Sequence, residues 1–271
     1  MKITFLGGGN MASALIGGLI KQGYASSDIR VVELLEAGRN RLQKDFGVQT
    51  FASLVPEAVN CEVLVLAVKP QQMREALEPF AGQLKDQLVI SIAAGLRLED
   101  LSRWLGGHSK LVRVMPNTPA LIGQGVAGLF AGPGVSAQQK ETAERILRAV
   151  GSCAWVEREE LIDAVTALSG SGPAYVFHFI EALEAAGIAL GLPGETARKL
   201  AIDTLVGSSA LAASSPESPA VLRERVTSKG GTTAAALNCL TEDRFPAIIA
   251  RALKAAADRG REMGEQLGQD Q

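Results

Sequence analysis

The hydrophobic pattern changes character near residue 157. Before it, short runs of apolar residues alternate with stretches of helical period: Lys2–Leu6, Asp28–Val32, Glu62–Val68, Leu88–Ile92 and Leu111–Met115, with shorter runs at Gly125–Phe130 and Cys153–Val156. An apolar run without polar alternation suits a strand covered on both faces, as parallel sheets require. Ala14 to Ile20 reads as a helix, and Ala137 to Val150 as another with Ser136 at its N-cap. Such alternation predicts an α/β fold, a doubly wound and mostly parallel sheet with helices on both faces. After residue 158 the strand signals stop. Helices are predicted over Leu161–Leu168, Pro173–Leu190, Pro193–Ser214, Thr233–Leu240 and Pro246–Gly264. Ser171-Gly172 marks the start of the long second one, Ser214–Pro219 reads as a loop, and Gly268–Gln271 as a frayed tail. The expected division is therefore 1–157, a dinucleotide-binding type of sheet domain, and 158–271, all helical. The helical half is rich in alanine and does not cover its own apolar faces, so self-association through it is expected.

Composition narrows the function. The chain has 271 residues, enough for two domains, with 47% hydrophobic residues and a net charge of −2. That balance gives no electrostatic case for nucleic acid or a membrane surface. No apolar run reaches transmembrane length, and Met1-Lys2 leads into a strand without a signal-peptide pattern, so a cytoplasmic location is expected. Cys61, Cys153 and Cys239 are far apart and read as small buried apolar residues in a reducing compartment. Of the two histidines, His108 reads as solvent-facing and His178, between Phe177 and Phe179, as packed. Neither a histidine base nor a metal site is expected.

Three groups of motifs carry the chemistry. Leu6-Gly7-Gly8-Gly9-Asn10-Met11-Ala12 follows the first strand and opens a helix, which is G-x-G-x-x-A in a Rossmann setting. Gly7 permits the turn, Gly9 lets a pyrophosphate approach the backbone, and Ala12 allows close helix packing. Glu33, at the end of the second strand, stands where an acid holds a ribose 2′-hydroxyl. The ends of three further strands, Ala67-Val68-Lys69-Pro70, Ala93-Ala94-Gly95 and Met115-Pro116-Asn117-Thr118-Pro119, leave the sheet through small or proline-fixed residues. A flat nicotinamide ring can lie against such loops, and Lys69 can reach a phosphate or ribose. Strand termination and a solvated lysine are the plain alternatives. The third group is Ser228-Lys229-Gly230-Gly231-Thr232-Thr233, whose glycines and hydroxyls precede a helix and suit a small carboxylate at its N-terminus. Ser169-Gly170-Ser171-Gly172-Pro173 reads equally as a helix cap, with Ser171 as the capping residue, or as a polar lip near the substrate.

Together these motifs resemble the pyrroline-5-carboxylate reductase family over essentially the whole chain. The resemblance implies hydride transfer from NADPH or NADH (the reduced forms of NADP and NAD) to the cyclic imine of 1-pyrroline-5-carboxylate, giving L-proline. It implies a Rossmann domain followed by a helical dimerisation domain, homodimers that often build decamers, and a substrate site at the dimer interface. By the same resemblance, Thr233 bonds the ring nitrogen as the catalytic residue, and the Gly231 and Thr232 N–H groups hold the carboxylate with help from Ser228, beside Gly230 and Ser171. Three departures stand out. Lys229 replaces a usual proline. Glu33-Leu34 replaces a small polar residue and arginine, which points to NAD over NADP, although Arg39 and Arg41 lie nearby. Glu217 is one residue away from a glutamate often found near the substrate amine. Two rivals predict otherwise: a 3-hydroxyacid type of dehydrogenase needs a catalytic lysine that Lys199 does not match, and a non-catalytic nucleotide-binding regulator needs no intact Ser169–Pro173 or Ser228–Thr233 cluster.

Overall fold

A computed structural model describes residues 1–269; Asp270 and Gln271 of the expected tail lie outside the described residues. The strands are β1 (Ile3–Leu6), β2 (Ile29–Val32), β3 (Gln49–Phe51), β4 (Val63–Leu66), β5 (Leu88–Ser91), β6 (Leu111–Met115), β7 (Gly125–Ala131) and β8 (Gly151–Trp155). They form one sheet in the order β3-β2-β1-β4-β5-β6-β7-β8. All neighbours are parallel except β6 and β7, which run antiparallel. The helices are α1 (Asn10–Lys21), α2 (Glu36–Phe46), α3 (Pro56–Val59), α4 (Met73–Leu77), α5 (Leu98–Trp104), α6 (Ala137–Leu147), α7 (Leu161–Val165), α8 (Gly172–Ala189), α9 (Gly194–Ser214), α10 (Pro219–Arg225), α11 (Thr232–Glu242) and α12 (Phe245–Gly268).

The unbroken apolar runs have a direct cause. On β4, Val63 and Val65 join one buried cluster with α1 residues Leu15 and Ile16, while Leu64 and Leu66 join the opposite cluster with Met73, Phe80 and Leu101. Leu88 and Ile90 of β5 divide from Val89 in the same way. Successive side chains point to opposite faces, so a strand with both faces covered carries no polar position. Ser136 caps α6 as predicted: its Oγ accepts from the Gln139 N–H at 3.2 Å, and the Gln139 side chain returns a bond to the Ser136 N–H.

The described residues form two compact units, 1–172 with 255–269, and 173–254. The predicted boundary after 157 follows the end of the sheet at Trp155, but α7 and the last turns of α12 belong with the sheet unit. In the unit 173–254, apolar side chains of α8 and α9 are uncovered in the single chain, among them Phe177, Ile188 and Val206.

Several sequence expectations are corrected. Gly268 is the last helical residue of α12, and its carbonyl accepts from Arg103 Nη2 at 2.8 Å, so it is not part of a frayed tail. Ser171 is not the N-cap of α8. Residues Thr166–Gly170 form a π-helical turn between α7 and α8, and Ser171 keeps right-handed helical backbone with its N–H on Thr166 O. α10 was not predicted; Pro219 opens it and Ser218 Oγ accepts from the Val221 N–H. His108 is buried, with Nε2 2.8 Å from Gln87 O, and burial lowers its pKa. His178 is exposed, beside Glu181. Cys239 is exposed, and Cys61 and Cys153 are half-buried. Burial, followed by the Glu144 carboxylate, pushes the Cys153 thiol up to about 11.

Candidate functional site

The parallel register sets Leu6 beside Val32 on one side and Leu66 on the other. Gly7, Glu33 and Ala67 therefore leave the sheet at one edge, where successive strands depart from β1 in opposite directions. This is the switch-point crevice in which doubly wound sheets take ligands.

The three glycines have separate tasks. Gly7 is buried at φ +98°, and a Cβ there would stand 2.8 Å from the Ala67 carbonyl carbon and oxygen. Gly8 donates its N–H to Glu33 Oε2 at 2.9 Å and accepts from Arg41 Nη2 at 2.8 Å. Gly9 is exposed, has ordinary backbone angles (φ −68°, ψ −174°), and a Cβ there would meet nothing within 4 Å. It is the N-cap of α1, and no side chain caps that helix. The N–H groups of the first turn at Asn10 and Met11 have no intrahelical carbonyl to reach, which suits a pyrophosphate at this helix start. Ala12 is buried as expected.

Glu33 is held firmly. Its Oε1 accepts from the Leu35 N–H at 2.9 Å, and Gly38 leaves room for its chain, since a Cβ there would stand 2.9 Å from Glu33 Cγ. Arg39 Nη1 donates to the carbonyls of Glu33 and Leu34 at 2.9 and 2.7 Å. Arg41 also reaches Ser13 Oγ at 3.4 Å. Both arginines are thus occupied with nearby oxygens beside the crevice.

The inner loops line the same edge of the sheet. Val68 is half-buried, Lys69 is exposed, and Pro70 begins a 3-10 turn. Ala93 and Gly95 are buried, Ala94 is half-buried, and Gly95 takes φ +84°. Asn117 has a structural task that its sequence context does not show. Its Oδ1 accepts from the Val126 N–H at 3.0 Å, and its Nδ2 donates to Ser169 O at 3.2 Å. It thereby ties the π turn before Ser171 to the sheet, while Pro119 sits in the 3-10 turn that follows.

The second cluster lies in the unit 173–254. Gly230 takes φ +72°, and Gly231 is the N-cap of α11 with no side-chain cap. A Cβ on Gly231 would collide with Ser228 Oγ. The Gly231 N–H donates to Ser228 O at 3.1 Å, so that expected carboxylate donor is spent within the turn. Thr232 and Thr233 begin the helix, and their N–H groups are among those that no intrahelical carbonyl can reach. Ser228 and Lys229 are exposed.

Comparison with known proteins gives the relation. The family profile described as pyrroline-5-carboxylate reductase dimerisation matches residues 159–263, and that described as NADP oxidoreductase coenzyme F420-dependent matches residues 2–95. The pyrroline-5-carboxylate reductase of Pseudomonas aeruginosa is 45% identical over 269 residues, 99% of this chain and 98% of that protein. The chain belongs to the pyrroline-5-carboxylate reductase family. The solved pyrroline-5-carboxylate reductase of Coxiella burnetii is 41% identical with a TM-score of 0.92, over 97% of this chain and 98% of that one. The Plasmodium falciparum enzyme, solved with NADP bound, is 31% identical with a TM-score of 0.86 over the same shares.

For a pyrroline-5-carboxylate reductase, the chain holds one further polar cluster that its sequence did not announce. Arg113, on β6, is 1% exposed, with Nη1 3.1 Å from Glu159 Oε1 and Nη2 3.3 Å from Asp163 Oδ1. Arg97 Nη2 donates to Asp163 Oδ2 at 2.6 Å, and the Leu98 N–H donates to Glu159 Oε1 at 2.8 Å. Burial pulls the Arg113 guanidinium below its ordinary value, Glu159 and Asp163 oppose that, and Arg97 adds to it. The cluster fixes α7 and the chain after Gly95 to the sheet. Only the apolar run around Arg113 hinted at it, since a lone arginine in a buried strand needs acidic partners. Glu217 pairs with Arg225 within its own unit. Among the described residues, no group of three or more His, Cys, Asp or Glu is placed to hold a metal, and no helix is long and apolar enough to cross a membrane.

Proposed function

We propose that this chain reduces 1-pyrroline-5-carboxylate to L-proline with a reduced nicotinamide coenzyme. The observation that carries this is the uncapped helix start beside Gly9, open where the sheet's strand order reverses, in a chain that also holds the Ser228–Thr233 turn. The relatives named above support it with near-complete coverage.

A reduced nicotinamide supplies hydride to the imine carbon of the substrate. The chain's own residues have three tasks, which together amount to proximity and orientation. The first-turn N–H groups after Gly9 hold the pyrophosphate, and Ala67–Pro70, Ala93–Gly95 and Pro119 shape the resting place of the ring. Thr232 and Thr233 N–H groups, with Ser228, hold the substrate carboxylate. Thr233 Oγ1 bonds the ring nitrogen, which arrives protonated or takes a proton from water. Hydride addition to an imine creates no oxyanion, so this chemistry does not need an oxyanion hole. Ser171 contributes a polar lip, self-association as dimers completes the substrate site, and the dimers assemble further into decamers. A cytoplasmic location accords with this role.

Glu33 favours NADH. Its carboxylate is held just after β2 by the Gly8 and Leu35 N–H groups, and from there it would accept from a ribose 2′-hydroxyl and repel a 2′-phosphate. Arg39 and Arg41 already serve backbone carbonyls. The test of the site is Thr233→Ala with pyrroline-5-carboxylate. Turnover should fall at least tenfold while the melting temperature holds. Wild-type kinetics would remove Thr233 from the reaction.

A further inference from the structure

The loop after β5 is held from outside by the end of the chain. The last turns of α12 belong to the sheet unit. A Cβ on Gly264 would stand 2.7 Å from Gly95 O and 3.4 Å from Arg97 Nε. Conversely, a Cβ on Gly95 would meet Leu267 Cδ1 at 3.4 Å, Met263 Cβ at 3.6 Å and Gly264 N at 3.7 Å. Leu267 continues down into the buried cluster that holds Leu98 and Leu101. One turn beyond Gly264, Gly268 O takes the hydrogen bond from Arg103. Gly95 therefore has a left-handed backbone on one side and a helix at van der Waals distance on the other. Gly260, one turn earlier in the same helix, would meet nothing within 4 Å. The missing side chain at Gly264 thus has a steric reason that the one at Gly260 lacks.

We propose that Gly264 is a positioning residue for the coenzyme: it lets the end of α12 seat on Gly95 and so fixes the Ala93–Gly95 loop against which the nicotinamide ring rests. This inference depends on the reading of that loop given under the proposed function. A methyl group at Gly264 has to push the helix away from the Gly95 carbonyl, and the loop loses its support.

The test uses the full-length protein and three variants, Gly264→Ala, Leu267→Ala and Gly260→Ala. Binding of the reduced coenzyme is titrated by its fluorescence without substrate, and KM values and melting curves are measured beside it. For Gly264→Ala, Kd and KM for the coenzyme should both rise about tenfold, equivalent to roughly 1.4 kcal/mol of coenzyme binding lost with the loop's support. The KM for the imine should stay within about twofold, as should all constants of Gly260→Ala. Leu267→Ala should show the same coenzyme-specific rise, smaller in size. A folded Gly264→Ala with wild-type coenzyme Kd overturns the proposal, and so does an equal effect from Gly260→Ala. Should Gly264→Ala fail to fold, Leu267→Ala decides: a lower melting temperature with unchanged coenzyme Kd shows a structural role only and overturns it. If the wild-type protein binds coenzyme but does not reduce the imine, the functional reading fails, and the Kd comparison still judges Gly264.

Discussion

Gly7 and Gly9 are two residues apart, yet alanine should act on them in opposite ways. At Gly9 the backbone is extended, which any residue adopts, and no atom lies within 4 Å of a new Cβ. Folding loses only the preference of glycine over alanine at an N-cap, below about 1 kcal/mol. The methyl group instead fills the approach to the first turn of α1. Losing one charge-assisted hydrogen bond from a phosphate costs about 1.5–3 kcal/mol, roughly ten- to a hundredfold in coenzyme affinity. At Gly7 the left-handed backbone costs alanine about 1–2 kcal/mol. The 2.8 Å approach to Ala67 C and O adds an overpacking strain of about 1–3 kcal/mol, since the atoms met are backbone. Gly7→Ala should therefore lose about 2–5 kcal/mol of stability, a fall in melting temperature on the order of 5–15 °C. Thermal melts and coenzyme titrations of both variants separate the two effects. A Gly9→Ala protein with wild-type coenzyme affinity, or a Gly7→Ala protein as stable as wild type, would refute the division of labour.

The remaining expectations concern specificity, pH and assembly. Glu33→Ser should raise the ratio of kcat/KM for NADPH over that for NADH by about tenfold, since it removes a fixed negative charge near a 2′-phosphate; an unchanged ratio takes Glu33 out of coenzyme selection. His108 has a folded pKa depressed by burial, so its stabilising contribution is complete above the unfolded value near ~6.5 and is lost as pH falls through the folded one. Melts between about pH 8 and about pH 5 should show a steeper acid loss for wild type than for His108→Asn, and equal slopes would exclude this origin. The uncovered Phe177, Ile188 and Val206 should be buried by self-association, so light scattering should report a dimer or a larger assembly, and a monomer would reject that role for α8 and α9.

Much of the sheet unit was legible because its signals are local. Both faces of β4 and β5 are covered, so their sequences are continuous apolar runs, and a turn that must take φ +98° leaves a glycine at Gly7. The N-cap of α6 is legible in Ser136, while the Gln139 side chain that completes a capping box shows only in the structure. What stayed hidden depends on partners distant in sequence. β3 is an edge strand of three residues, too short for a pattern. The burial of His108 does not show in its Gly-Gly-His-Ser loop, since its ring nitrogen pairs with the carbonyl of Gln87, 21 residues earlier. The polar run at Ser169–Gly172 resembles a helix cap, yet Asn117 and the Thr166 carbonyl hold it in a π turn. The task of Gly264 could not be read from spacing, since Gly260, Gly264 and Gly268 share one period and differ only in what they meet. Gly231 stands in the sequence as part of a glycine turn, but its clash with Ser228 on gaining a Cβ and the loss of its N–H to the turn show only in the structure.

The central claim is direct hydride transfer to an imine held by this chain, and isotope transfer tests it most directly. Pyrroline-5-carboxylate is incubated with the protein and a reduced coenzyme carrying deuterium at the transferable position, and the proline formed is analysed by mass spectrometry. The account predicts proline with one deuterium on the former imine carbon, and none on that carbon when unlabelled coenzyme is used in deuterated water. Unlabelled proline from the labelled coenzyme, or no proline from folded protein, would contradict it.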